Sequence, residues 1–207
     1  MTCQSSDSSE AIQDEGRADD GAAAAESDER RIAAAMKDLR NTGWYWGSLT
    51  ANEAKEILAD ASEGTFLLRD SSQREYLFTI SAMTSAGPTN LRIEFKHGKF
   101  KLDSVVLVKP KLKQFDSVVH LVEHYVQLSR GSDRAAPAQP QRAAAAAGAA
   151  AAPNGTVQLL LTKPVYVATP PLQHLCRIAI NRTTRRVQAL PIPNRLKDYL
   201  TDYAYNV

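Results

Sequence analysis

Apolar side chains along this chain change their period several times, and each change marks an expected element. In "RRIAAAMKDLR", Ile32, Met36 and Leu39 recur at helical spacing, with Asn41 and Gly43 as stop signals, which predicts a short helix near residues 30–40. Ala54, Ile57 and Leu58 form one face of a second helix that starts near Thr50. The runs "GTFLLRD", "EYLFTISAM" and "NLRIEFKHGKFKL" then read as strands, parted by turns at "SSQR", "TSAGPT" and "KHGK". Helical period returns in "FDSVVHLVEHYVQL", with Phe115, Val118, Val119, Val122, Tyr125 and Val126 on one face. Helix, antiparallel meander and helix make an α+β domain: a central antiparallel sheet flanked by two helices. One more strand is expected in "TVQLLLTKPVYV", and two helices at residues 171–181 and 194–203 around "TTRRVQALPIP".

Composition changes this picture at both ends of the main domain. Residues 1–29 are rich in Ser, Asp, Glu and Ala and hold no aromatic side chain, which predicts a disordered acidic tail. Residues 131–153 are low in complexity, and Pro137, Pro140, Gly148 and Pro153 interrupt their alanines, so a long loop insertion is expected. The domain limits that follow are 1–29 for the tail, 30–43 for the leading helix, 44–159 for the α+β domain and 160–207 for a small all-α unit. Charge adds exclusions. The formal net charge of +2 is too small to make nucleic acid the main partner, although residues 1–31 carry nine acidic side chains against three arginines. No apolar run approaches the roughly 20 residues needed to cross a bilayer, so no membrane insertion is expected. The two cysteines, Cys3 and Cys176, are better suited to a reducing compartment than to a disulfide, which predicts a cytoplasmic address. No cofactor or metal is called for.

Candidate chemistry starts at Arg69, a cation at the end of an apolar strand. Asp70 is adjacent but points to the other face of a strand. Ser71 and Ser72 lie in the turn beyond, and Thr79 and Arg92 lie on the next two strands, where they can face the same spot. Two guanidiniums and three hydroxyls around one point need an anion. A phosphate supplies about −1.5 to −2 charges and three acceptor oxygens suited to bidentate arginine pairing. A salt bridge from Arg69 to a distant carboxylate is the structural alternative.

The second candidate lies in "PLQHLCRIAI", where Leu172, Cys176 and Ile180 recur every four residues with Leu175 and Ala179 beside them. That stripe is either a core helix or a partner surface. A catalytic cysteine is disfavoured, because His174 is two residues from Cys176 and so on another face of the helix.

The order Trp-Tyr-Trp-Gly, amphipathic helix, "GTFLLRDS", meander and helix resembles the Src homology 2 domain, and "FLLR" resembles its phosphotyrosine-binding strand motif. By that resemblance Arg69 grips phosphotyrosine from the floor of a pocket. Ser71 and Ser72 line the phosphate loop, Thr79 bonds from the next strand, and Arg92 stands where many relatives carry histidine. Ala51 stands where many relatives carry a second arginine. "LQHLCRIAI" resembles an elongin-binding box, with Leu172, Leu175, Cys176 and Ile180 as its contacts. "LPIP", Leu190, Pro191, Ile192 and Pro193, resembles the box that selects cullin-5. With the terminal "NRLKDYLTDYAYNV" these make a SOCS box, so the chain resembles the suppressor of cytokine signalling family. The resemblance implies a non-catalytic substrate receptor of a ubiquitin ligase. Its partners would be phosphotyrosine receptors, elongin B and elongin C, and cullin-5 with its RING partner, and it would damp Janus kinase–STAT signalling. A competitor that only blocks receptor docking sites is the alternative. Direct kinase inhibition is disfavoured, since residues 1–29 lack aromatics.

Overall fold

The computed structural model describes residues 17–103, 113–134 and 159–207. Its first helix, α1 (Arg17–Arg40), begins well before the expected start near residue 30. Helix α1 takes in residues 17–29 of the expected tail, and the rest of that tail lies outside the described residues. Acidic composition pointed to disorder, but the alanines at 22–25 have high helix propensity and a Glu26–Arg30 pair sits at i, i+4. Ala35 and Leu39 bury the far end of α1, and a helix anchored there extends backward at low cost per residue.

Helix α2 (Ala51–Leu58) starts where Thr50 and Glu53 form a capping box. Thr50 Oγ1 accepts the Glu53 N–H, and Glu53 Oε2 accepts the Thr50 N–H at 2.8 Å. Strands β1 (Thr65–Asp70), β2 (Phe78–Thr84), β3 (Gly87–Lys96) and β4 (Lys99–Leu102) form the expected antiparallel meander. His97 and Gly98, both at positive φ, make the two-residue β3–β4 turn. "TSAGPT" is less of a loop than expected, because β3 already begins at Gly87 and includes Pro88. Proline is tolerated there because β4 pairs only with Ile93 to Lys96, leaving that side of Pro88 without a neighbour strand.

Helix α3 (Val118–Arg134) runs four residues into the segment expected as loop, whose remainder, from residue 135, lies outside the described residues. The last expected strand shrinks to β5 (Lys163–Pro164), which pairs parallel to β1. The sheet is therefore mixed, in the order β4-β3-β2-β1-β5. Parallel pairing follows from the route: the chain enters β5 beside β1 after crossing over through α3 rather than through a hairpin.

Alternation along β1 sorts its two faces. Phe66 and Leu68 join Trp44, Phe78, Ile80, Ile93 and Phe100 in a core covered by Val118, Val119, Val122 and Val126 of α3 and by Leu39 of α1. Arg69 and Leu67 face the opposite side, where Ala54 and Leu58 of α2 are fully buried. The C-terminal unit comprises α4 (Leu172–Thr183), a 3-10 turn (Val187–Ala189) and α5 (Asn194–Asp202). Tyr203 and Val207 sink into the same core as β1. The Asn206 N–H donates to Glu123 of α3 at 3.1 Å, and Tyr205 donates to Asp38 of α1 at 3.0 Å.

Gly64, just ahead of β1, has φ +82, and a Cβ there would lie 2.6 Å from Thr162 Oγ1. Gly64→Ala is expected to cost about 1–2 kcal/mol in chemical unfolding. Adding Thr162→Ala should recover only the steric part, because the backbone strain remains.

Candidate functional site

Arg69 is 3% exposed in the middle of the sheet, and among the described residues every partner of its guanidinium is neutral. Nε donates to Ser81 Oγ at 3.1 Å, and Nη2 to Asn90 Oδ1 at 3.1 Å. Nη1 donates to the Asp70 carbonyl at 3.0 Å and to Ser72 Oγ at 3.3 Å. The Asp70 carboxylate points to the other face and accepts from the Tyr45 hydroxyl. No carboxylate lies within ion-pair distance of Arg69 among the described residues, which removes the salt-bridge alternative. Burial pushes the guanidinium below its ordinary pKa, the mark of a cation that has lost water without gaining a counter-charge.

Strand register gathers the rest. Thr79 sits opposite Arg69, and Arg92 opposite Thr79, so one face carries all three. A cavity of about 280 Å³ opens over them, lined by Arg69, Ser71, Ser72, Thr79 and Arg92 together with Ala51 at the start of α2. Arg92 is engaged differently from Arg69: Nη2 pairs with Asp103 Oδ2 at 2.8 Å, and Nη1 donates to Gln73 Oε1 at 2.8 Å. Ser71 lines the cavity but its Oγ accepts from the Gln73 N–H. Sequence reasoning missed Ser81 and Asn90, the two side chains that aim Arg69, and Ser81 also donates to Asn90 at 2.7 Å. The signal was available: Ser81 is two residues from Thr79 and Asn90 two from Arg92, so strand parity puts all four on one face.

In α4 the usual polarity is reversed. His174, Arg177 and Asn181 face inward with Ile178, whereas Leu172 is 76% exposed, Leu175 is 40% exposed and Cys176 is exposed, with Ile180 half-buried. The inward polar groups are held by a network. Arg177 Nη2 donates to His174 Nδ1 at 2.8 Å, its guanidinium stacks 4.3 Å from the Tyr199 ring centre and 4.8 Å from that of Tyr203, and Asn181 donates to the Tyr203 and Tyr205 carbonyls. The core-helix reading of the stripe is thereby corrected. Its leucines point to solvent because the inward face is already occupied. Leu190 and Ile192 are half-buried and Pro191 and Pro193 exposed, with Leu190 and Pro193 in extended backbone ahead of α5.

The model of the SH2 domain matches residues 44–125, and that of the SOCS box matches residues 168–201. The chain is 58% identical to suppressor of cytokine signaling 2 of Bos taurus over 86% of this chain and 83% of the relative. It is 56% identical to the Homo sapiens protein of that name over the same shares. With the cytokine-inducible SH2-containing protein of Gallus gallus it shares 44% identity, over 85% of this chain and 72% of the relative. The chain belongs to the suppressor of cytokine signalling family. Both modules of this family are adaptors rather than catalytic domains. The SH2 match contains the Arg69 cavity, and the SOCS box match contains both the α4 stripe and Leu190–Pro193. Among the described residues no helix is long and apolar enough to cross a membrane.

Two outcomes follow. Arg69→Met should raise stability by about 1 kcal/mol in denaturant titration, since it removes an uncompensated buried charge while Ser81 and Asn90 keep each other. The second concerns His174, held below the ordinary imidazole value of 6.5 by burial and then by the Arg177 charge, which outweigh the Thr42 backbone. Its folded state resists protonation, so stability is full above about pH 6.5 and falls as pH drops toward the depressed value. Unfolding at pH 7.5 and 5.5 should show that loss, and His174→Phe should flatten part of the slope. His124, also held low, supplies another part.

Proposed function

We propose that this chain is the substrate receptor of a ubiquitin ligase. In that role it captures phosphotyrosine motifs of activated cytokine or growth hormone receptors and recruits elongin B, elongin C and cullin-5 with its RING partner. The observation that carries the reading is Arg69: a buried guanidinium bonded, among the described residues, only to neutral acceptors, on the floor of an open cavity. Phosphate is the ligand whose charge and acceptor count answer that arrangement. Its aromatic ring gives a phosphotyrosine more reach toward the buried Arg69 than a phosphoserine side chain has.

The outward stripe of Leu172, Leu175 and Cys176 supports the second half of the proposal. Exposed leucines on a helix whose other face is buried against the domain favour an apolar partner groove, with Cys176 acting as a small hydrophobe. Leu190, Pro191, Ile192 and Pro193 offer a short linear contact for the cullin. Ubiquitin transfer is then left to the partners, and the effect is reduced Janus kinase–STAT signalling in the cytoplasm. Kinship with the cattle and human proteins named suppressor of cytokine signaling 2 supports this direction.

Co-purification with elongins B and C on an immobilised phosphotyrosine peptide tests both halves together. Wild type should retain peptide and elongins. Arg69→Lys keeps the charge but loses the guanidinium fork, and should weaken peptide binding by roughly 100-fold while elongins stay bound. Leu172→Asp should do the reverse. Unchanged peptide binding by Arg69→Lys would undo the phosphate assignment. A folded wild type that binds peptide without elongins would leave only a competitor for docking sites.

A further inference from the structure

The cavity that holds two arginines also holds a carboxylate. Asp103 follows β4, and its backbone N–H donates to the Arg92 carbonyl at 2.9 Å, so the main chain fixes it beside β3. Its side chain is 15% exposed and lines the cavity. Oδ2 pairs with Arg92 Nη2 at 2.8 Å and accepts from the Tyr76 hydroxyl at 3.0 Å. The Arg92 guanidinium also lies 4.9 Å from the centre of the Tyr76 ring. The bond to Asp103 keeps the Tyr76 phenol above its ordinary pKa and therefore a donor. The two arginines thus differ in kind: the charge of Arg69 is uncompensated, and that of Arg92 is already answered.

A dianion entering this cavity meets two positive charges and one negative. We infer that Asp103 is an affinity-setting residue, which holds Arg92 at the rim while its own charge opposes the phosphate. The inference rests on the phosphotyrosine reading of the cavity. Tethering and repulsion act in opposite directions on affinity, and an isosteric amide separates them. Asparagine at this position still offers Arg92 or Tyr76 an acceptor but carries no charge.

The test measures binding of the full chain to one peptide in three forms: phosphotyrosine, sulfotyrosine and plain tyrosine. Asp103→Asn should tighten phosphotyrosine binding about three- to tenfold, the size expected for unit charges a few ångström apart in a cavity open to water. The gain should be smaller for monoanionic sulfotyrosine and should shrink with added salt. Asp103→Ser, which also removes the charge and keeps an acceptor, carries the same expectation if the amide variant fails to fold. Asp103→Glu, which keeps the charge, should not tighten binding. Equal or weaker phosphotyrosine binding by the neutral variants overturns the inference and leaves the cavity reading intact, for Asp103 would then only position Arg92. A wild type that binds all three peptides alike overturns both.

Discussion

Desolvating a guanidinium costs several kcal/mol unless a counter-charge or a full set of acceptors is in place. At Arg69 the acceptors are neutral and come from four residues: Asp70 through its carbonyl, Ser72, Ser81 and Asn90. Such a set holds only if three strands and a turn keep their register, so the cation depends on the sheet around it. The strand that carries it is braced throughout. Leu68 and Asp70 make backbone bonds to the Trp44–Gly47 segment, β5 pairs along that same edge, β2 holds the other edge, and Phe66 and Leu68 anchor one face in the core. Rigidity here is what aims a charge that is only half satisfied.

The C-terminal unit applies the reverse logic. In α4 the polar side chains lie inside, where His174, Arg177 and Asn181 meet the Tyr199 and Tyr203 rings and the carbonyls of the closing segment. The leucines are left outside. A buried polar network of this kind specifies one docking arrangement more sharply than apolar contacts would. Because Tyr203 and Val207 sit in the core that also backs β1, the outward stripe has a fixed direction relative to the Arg69 cavity.

Much of this was legible before folding. The period changes located α2, the meander, α3 and the two late helices within a few residues, because amphipathic periodicity and capping are local properties. Thr50 with Glu53 is the plainest case. Arg69, Thr79 and Arg92 were readable as neighbours, since hairpin order limits which strand residues can meet. Ser81 and Asn90 needed only the parity of residues already chosen. Other features were beyond local rules. The early start of α1 turned on anchoring at Ala35 and Leu39, and the parallel pairing of β5 on a crossover route. Asp103 entered the cavity through a backbone bond to Arg92 that no spacing announces.

The sequence by itself determined the elements, their order and the residue types able to grip a phosphate, because those follow from period, turn chemistry and charge. Only the tertiary structure decided which charges are answered. Among the described residues Arg69 has no carboxylate and Arg92 has Asp103, although both arginines lie on one face of the sheet, on strands parted only by β2. It also decided which face of α4 is free. An apolar stripe reads alike whether it is buried or exposed, and the choice depends on what the other face finds to bond with. Satisfaction of a buried group is a property of three dimensions, set by partners that lie far apart along the chain.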